Sequence, residues 1–281
     1  MTGPAPGVPR LPVRPARARR EAGNPFAEAG GEHYDAVRPS YPAEAVAWVL
    51  EGLGQGLDLG LDVVELGAGT GLFTRLLAAR PADRVRTVTA LEPSASMRAV
   101  LEREVAAGTG GRVRAVPGTG ESTGLPAASA DVVVAAQAWH WMDPAAASAE
   151  AARVLRPGGR LVAVWNQLDT AVPWVHRLTR IMHAGDVHAA RPEQRRFAAP
   201  FGTEEHARWA WTQPMTAAGL QGLMASRSYW LRADERIRSR LTANLDWYLH
   251  EHLGHAADAD LQVPYVTVAW WAAPVRGGRP R

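Results

Sequence analysis

Cysteine and lysine are both missing from the 281 residues. Without a thiol there is no disulfide, no thiolate metal site, no iron–sulfur ligation and no thiol nucleophile. That excludes radical enzymes built on such a cluster and enzymes that attack pyrimidine C5 through a cysteine adduct. Without an ε-amino group, Schiff-base chemistry is excluded as well. All 31 basic residues are therefore arginine, and with abundant Ala, Gly and Pro this reads as a compositional bias of the source genome. Long apolar runs are also missing, and no signal-peptide core follows the Arg/Pro-rich start, so a soluble, cytoplasmic protein with no membrane partner is expected. The formal net charge of +3 is misleading, because residues 1–24 hold five arginines against Glu21 and the last six residues hold three more. The body, 25–275, is left near −4. A nucleic-acid binder clusters positive charge on a folded face, so no nucleic-acid partner is expected. His250, His252 and His255 do not share a helix face and no H-E-x-x-H is present, so no metal site is expected either.

What is present is organised around residues 62–71, DVVELGAGTG. A short apolar run, the pattern of a buried parallel strand, breaks into three alternate glycines before LFTRLL resumes at helical spacing. Strand, tight turn and helix follow one another, with glycines where the backbone must turn sharply and admit a ligand with no Cβ in the way. The spacing Gly67-x-Gly69-x-Gly71 is not the G-x-G-x-x-G of a dinucleotide site. Glu65 closes the strand, where a carboxylate would repel a phosphate but could accept from an ammonium group, directly or through water. A zwitterionic ligand fits this turn better than a diphosphate.

The E-x-G-x-G-x-G arrangement resembles motif I of the class I S-adenosylmethionine (SAM)-dependent methyltransferases. The V-L-R-P-G-G-R-L pattern at 154–161 is typical of their methyltransferase type 11 group, which includes UbiE-like and trans-aconitate-methyltransferase-like enzymes. Tyr34-x-x-x-Arg38-Pro-x-Tyr-Pro resembles a segment of the same group in which N-terminal helices cover the cofactor. That resemblance implies SAM as cofactor, with Glu65, Gly67, Ala68, Gly69 and Gly71 around it, and with Tyr34 and Arg38 near its methionine end. Glu92 closes the next apolar strand about twenty residues past the last glycine, placed to accept both ribose hydroxyls of an adenosine. By the same resemblance Met97 lies against the adenine, and Thr119, Gly120 and Glu121 meet its edge, although the family's usual Asp is replaced here by Thr119.

Further strands are expected at 112–116, 130–136 and 160–166, with a helix at 144–155 and a turn at 156–159. The stretch QAWHWMDP follows the fourth strand, where open α/β sheets bind ligands. Trp139 and Trp141 make a pocket-like wall. Gln137 is expected at the cofactor, and His140 is the one histidine at this edge, either a catalytic base or a packing and positioning residue. Later elements are helices at 172–184, 216–226 and 234–249, and strands at 205–212 and 263–271, the last antiparallel. The expected fold class is α/β: a doubly wound, mostly parallel seven-stranded sheet of Rossmann-like methyltransferase type. A helical cap at 25–57 precedes it, with a helix from Ala43 to about Leu53, and an insertion at 185–203 interrupts its C-terminal half. Residues 1–24 and 276–281 read as disordered tails. The expected activity is methyl transfer from SAM to a small-molecule acceptor by direct in-line displacement. Two alternatives stand beside it: a SAM-binding protein without transferase activity, and an NAD-dependent oxidoreductase.

Overall fold

Strands buried on both faces must be apolar at nearly every position, whereas a strand at a sheet edge needs only alternation. Both patterns appear in the computed structural model, which describes residues 35–53, 60–106, 109–182 and 195–275. The tails, Tyr34, the remainder of the cap at 25–33 and 54–57, and residues 185–194 of the insertion lie outside the described residues. Strands β1 (Leu61–Leu66), β2 (Val85–Leu91), β3 (Val113–Val116), β4 (Ala130–Ala136) and β5 (Leu155–Leu168) run parallel. β6 (Glu205–Met215) and β7 (Leu261–Ala272) complete a seven-stranded sheet of order β3-β2-β1-β4-β5-β7-β6, with β7 antiparallel to both neighbours.

The alternation along the strands sorts the core into layers. Val63, Val132, Val134, Val162 and Val164 pack under α1 (Ala43–Leu50) and α2 (Leu72–Ala78) through Val46, Val49, Phe73 and Leu77. On the other face Val64, Leu66, Val133, Leu161 and Ala163 meet α4 (Pro144–Val154) through Ala147, Ala151 and Val154. α3 (Ala95–Ala106) packs Leu101 and Val105 on Ala90 of β2. A second core joins α5 (Pro173–Ile181), α6 (Ala217–Ala225) and α8 (Glu235–Asp246) to the ends of β6 and β7, with the short α7 (Ser228–Leu231) between them. Among the described residues no helix is long and apolar enough to cross a membrane.

Three helix starts are set by side chains. Asp143 accepts from Ala145 and Ala146 N–H ahead of Pro144, Thr216 from Gly219 N–H, and Asp234 from Ile237 N–H. Element ends differ from expectation where tertiary pairing decides them. α1 stops at Leu50 because Glu51 turns extended (φ −60°, ψ 138°) and Gly52 follows at φ 71°. β5 starts at Leu155, which pairs with Ala130; residues 156–159 then bulge out and Arg160 rejoins opposite Val132. β6 continues to Met215 because β7 pairs with it as far as Leu261. α8 passes into a π-helical turn, Trp247–His252.

Candidate functional site

Five parallel strands end at one edge of the sheet, so the loops that follow them gather there. After β1, Gly67, Gly69 and Gly71 take φ of 67°, 59° and 88°. Other residues reach this left-handed region only at a cost of roughly 1–2 kcal/mol each. A Cβ at Gly67 would lie 2.7 Å from Ala138 Cβ, so the loop packs directly on the turn after β4. A Cβ at Gly69 would meet nothing nearer than Met97 Sδ, at 3.9 Å. The loop is thus closed at its first glycine and open at its second.

β2 grips this loop. Ala68 N–H donates to Leu91 O and Gly69 N–H to Glu92 Oε2, both at 2.9 Å, while Glu92 Oε1 accepts from Ser94 N–H at 2.8 Å. Each carboxylate oxygen can accept twice, so these bonds orient Glu92 and leave capacity for ligand hydroxyls. Burial pushes the Glu92 carboxyl above its ordinary range, although the N–H groups of Ser94 and Gly69 and the charge of Arg98 oppose that shift. Glu65 is 1% exposed, and its Oε2 accepts the Thr74 hydroxyl at 2.5 Å. Burial pushes its carboxyl up to about 8; the Thr74 bond opposes the rise and the negative charge of Glu92 adds to it.

The buried hydroxyl of Thr70, inside the loop, has no hydrogen-bond partner among the described residues. A buried polar group in that state fits a site whose ligand brings the missing partner. Glu65, the Gly69 opening, Thr70 and Glu92 together suit a ligand with an ammonium group at one end and vicinal hydroxyls further along. SAM has both. Met97 is buried beside Gly69.

The remaining expected residues are tied into the scaffold. Thr119 exchanges backbone bonds with Ser122, and Glu121 Oε1 accepts Asp143 N–H at 2.7 Å, fastening the loop after β3 to the start of α4. A Cβ at Gly120 would collide with the Met142 sulfur, which locks the same two loops together. Gln137, at φ 55°, donates from Nε2 to Asn166 O at 2.7 Å. His140 sits half-buried in a 3-10 turn, Trp139–Trp141, and Trp165 Nε1 donates to its Nδ1 at 3.3 Å. Trp139 is buried, donates from Nε1 to Arg196 O and packs its ring edge-to-face on Phe197, so it anchors the described part of the insertion. Arg38 Nη2 donates to Ser226 O at 2.8 Å, joining the N-terminal segment to the end of α6. His250 Nδ1 lies 2.7 Å from His255 O, and among the described residues no three His, Cys, Asp or Glu are placed to hold a metal ion.

Several contributors escaped the sequence reading. Asn166, on β5, donates to Ser40 O at 2.7 Å and accepts the Thr267 hydroxyl at 2.6 Å, and Thr267 Oγ1 in turn accepts Trp211 Nε1–H at 2.9 Å. Asp35 pairs with Arg75 of α2 at 3.0 Å. The signal for Asn166 was available: like Glu65 and Gln137, it is a polar residue at the end of an apolar run.

Residues 64–163 match a family described as a methyltransferase domain. An uncharacterized methyltransferase of Mycobacterium tuberculosis is 38% identical over 255 residues, covering 89% of this chain and 96% of its own length. A methyltransferase-like protein of Schizosaccharomyces pombe, also uncharacterized, is 29% identical over 219 residues, or 76% of this chain and 81% of its own. A solved structure from Anaeromyxobacter dehalogenans, proposed to be a type II methyltransferase, superposes with a TM-score of 0.54 at 25% identity over 84% of this chain and 96% of that one. This chain belongs to the class I SAM-dependent methyltransferases, in the methyltransferase type 11 group.

Proposed function

We propose that the protein transfers the methyl group of SAM to a small-molecule acceptor by direct in-line displacement. The observation that carries this reading is the β1 loop, packed shut at Gly67, open at Gly69 and held by a carboxylate, Glu92, that retains lone pairs for ribose hydroxyls. Glu65, Gly67, Ala68 and Gly71 hold the methionine end, Met97 packs on the adenine, and main-chain groups of Thr119, Gly120 and Glu121 bound its edge. When bound, SAM supplies an electrophilic methyl on sulfur, so no covalent enzyme intermediate is required. The chain's own task is to orient an acceptor nucleophile and exclude water.

His140 is the side chain assigned to the acceptor. With Nδ1 accepting the Trp165 indole N–H, the ring proton sits on Nε2, which makes that atom a hydrogen-bond donor. Nδ1 of His140 is therefore not free to take a proton from the acceptor. A small acceptor is supported by the negative charge of the body, which is ill-suited to a polyanion.

The test is transfer of a radiolabelled methyl group from SAM to a panel of small carboxylic acids, amines and phenols. Labelled product that falls in Glu92→Ala at limiting SAM is expected. Firm SAM binding with no product from any of the three acceptor classes would favour a SAM-binding protein that does not transfer.

A further inference from the structure

α5 and α8 lie side by side in the second core, and the groove between them has a volume of about 620 Å³. Pro173, His176, Arg177, Arg180 and Ile181 line it from α5, and Arg240, Leu241 and Asn244 from α8. None of these residues belongs to the glycine-loop site. Among the described residues no carboxylate lines the groove, and Arg177, Arg180 and Arg240 enter no ion pair. Three guanidinium groups held together without a counter-charge repel one another, and an anion placed between them relieves that repulsion.

Arg177 is already positioned. Its guanidinium lies 5.2 Å from the Tyr248 ring centre and 5.7 Å from that of Trp247, and its Nη1 is 3.4 Å from His252 Nε2. Tyr248 is itself fixed by donating its hydroxyl to Trp174 O at 2.8 Å. A pre-ordered cation loses less freedom on meeting its ligand. Below the charged rim Pro173 and Ile181 offer apolar surface, over the buried Leu241. A concavity of this size matches small-molecule sites of roughly 300–1,000 Å³ rather than a flat track for a polymer or a bilayer.

We propose that this groove binds a small amphipathic anion, its carboxylate or phosphate held by Arg177, Arg180 and Arg240 and its hydrocarbon part laid on Pro173 and Ile181. The site is separate from the methyl-transfer site and does not depend on that reading. Calorimetric titration of the full chain tests it, using octyl phosphate below its micellar concentration, decanoate, inorganic phosphate and 1-octanol, each near physiological salt. Octyl phosphate and decanoate should saturate a single site, with inorganic phosphate and octanol each at least about ten-fold weaker, because either half of the ligand alone forfeits half of the contacts. Arg180 and Arg240 are exposed, so Arg180→Gln with Arg240→Gln leaves the fold intact. That pair of substitutions should weaken octyl phosphate by about ten-fold or more while S-adenosylhomocysteine binding stays within about two-fold. The proposal is overturned by octyl phosphate that fails to saturate, by affinity that survives both substitutions, or by inorganic phosphate that binds equally well. It is also overturned if the protein sediments with anionic phosphatidylglycerol vesicles yet ignores monomeric octyl phosphate, which would make the patch a membrane contact.

Discussion

Glu65 and Glu92 close neighbouring strands, but their surroundings give them different work. Glu92 has its two oxygens fixed by the N–H groups of Gly69 and Ser94, so it presents a rigid acceptor. Glu92→Ala should weaken SAM by about 1–3 kcal/mol, the loss of a charged acceptor, read by calorimetry against an unchanged circular-dichroism spectrum. Glu65 is the switchable one. The folded chain keeps its proton up to about pH 8, whereas the unfolded chain releases it near the ordinary 4.5, so this group's contribution to stability falls as pH rises through that window. A bound ammonium favours the ionised form. Binding of SAM below pH 8 should therefore release a proton, and affinity should rise with pH toward 8. Heats measured in two buffers of different ionisation enthalpy should differ, and Glu65→Gln should erase the difference; equal heats for the unaltered protein would contradict the assignment. Two of the loop's three glycines separate fold from function in the same way. A Cβ at Gly67 would meet Ala138, so Gly67→Ala should lower the melting temperature markedly, whereas Gly69→Ala should cost only about 1–2 kcal/mol of backbone strain and mainly abolish cofactor binding.

Among the elements, those buried on both faces were the most legible. β4 matches its expected bounds because an unbroken apolar run, 130–136, has no other way to be buried. Ends set by distant partners were not legible: the last residues of β6 are ordered by β7, and the first residues of β5 by Ala130. The site divides along the same line. Glu65, the glycines and Glu92 could be read because one local stretch, or one strand end, determines each. Arg38 bonding Ser226, 188 residues away, and Asn166 bonding Ser40, 126 residues away, are settled only when the sheet is complete. Asn166 is the joint between elements, touching the N-terminal segment, the Gln137 side chain and Thr267 of β7. Asn166→Ala would strand the Thr267 hydroxyl and Ser40 carbonyl at a cost of about 1–3 kcal/mol, visible as a lower denaturant midpoint. If the N-terminal segment does cover the cofactor, the same change should also weaken SAM binding; unchanged affinity would separate that segment from the site.

For the whole molecule, strand polarity accounts for the placement of the site. Parallel pairing from β3 to β5 delivers the glycine loop, Glu92, residues 119–121 and the His140 turn to one edge, although more than seventy residues separate the first from the last. The antiparallel β7 then carries the second core, with its arginine-rimmed groove, beyond β5. The glycine spacing argues for a zwitterionic nucleoside ligand over a dinucleotide, and Glu92 alone would serve either. Calorimetric titration of the full chain with SAM, S-adenosylhomocysteine and NADH decides between them most directly. The account predicts one-site binding of both sulfur compounds with dissociation constants on the order of micromolar, and no heat from NADH. Saturable binding of NADH without either sulfur compound would contradict it.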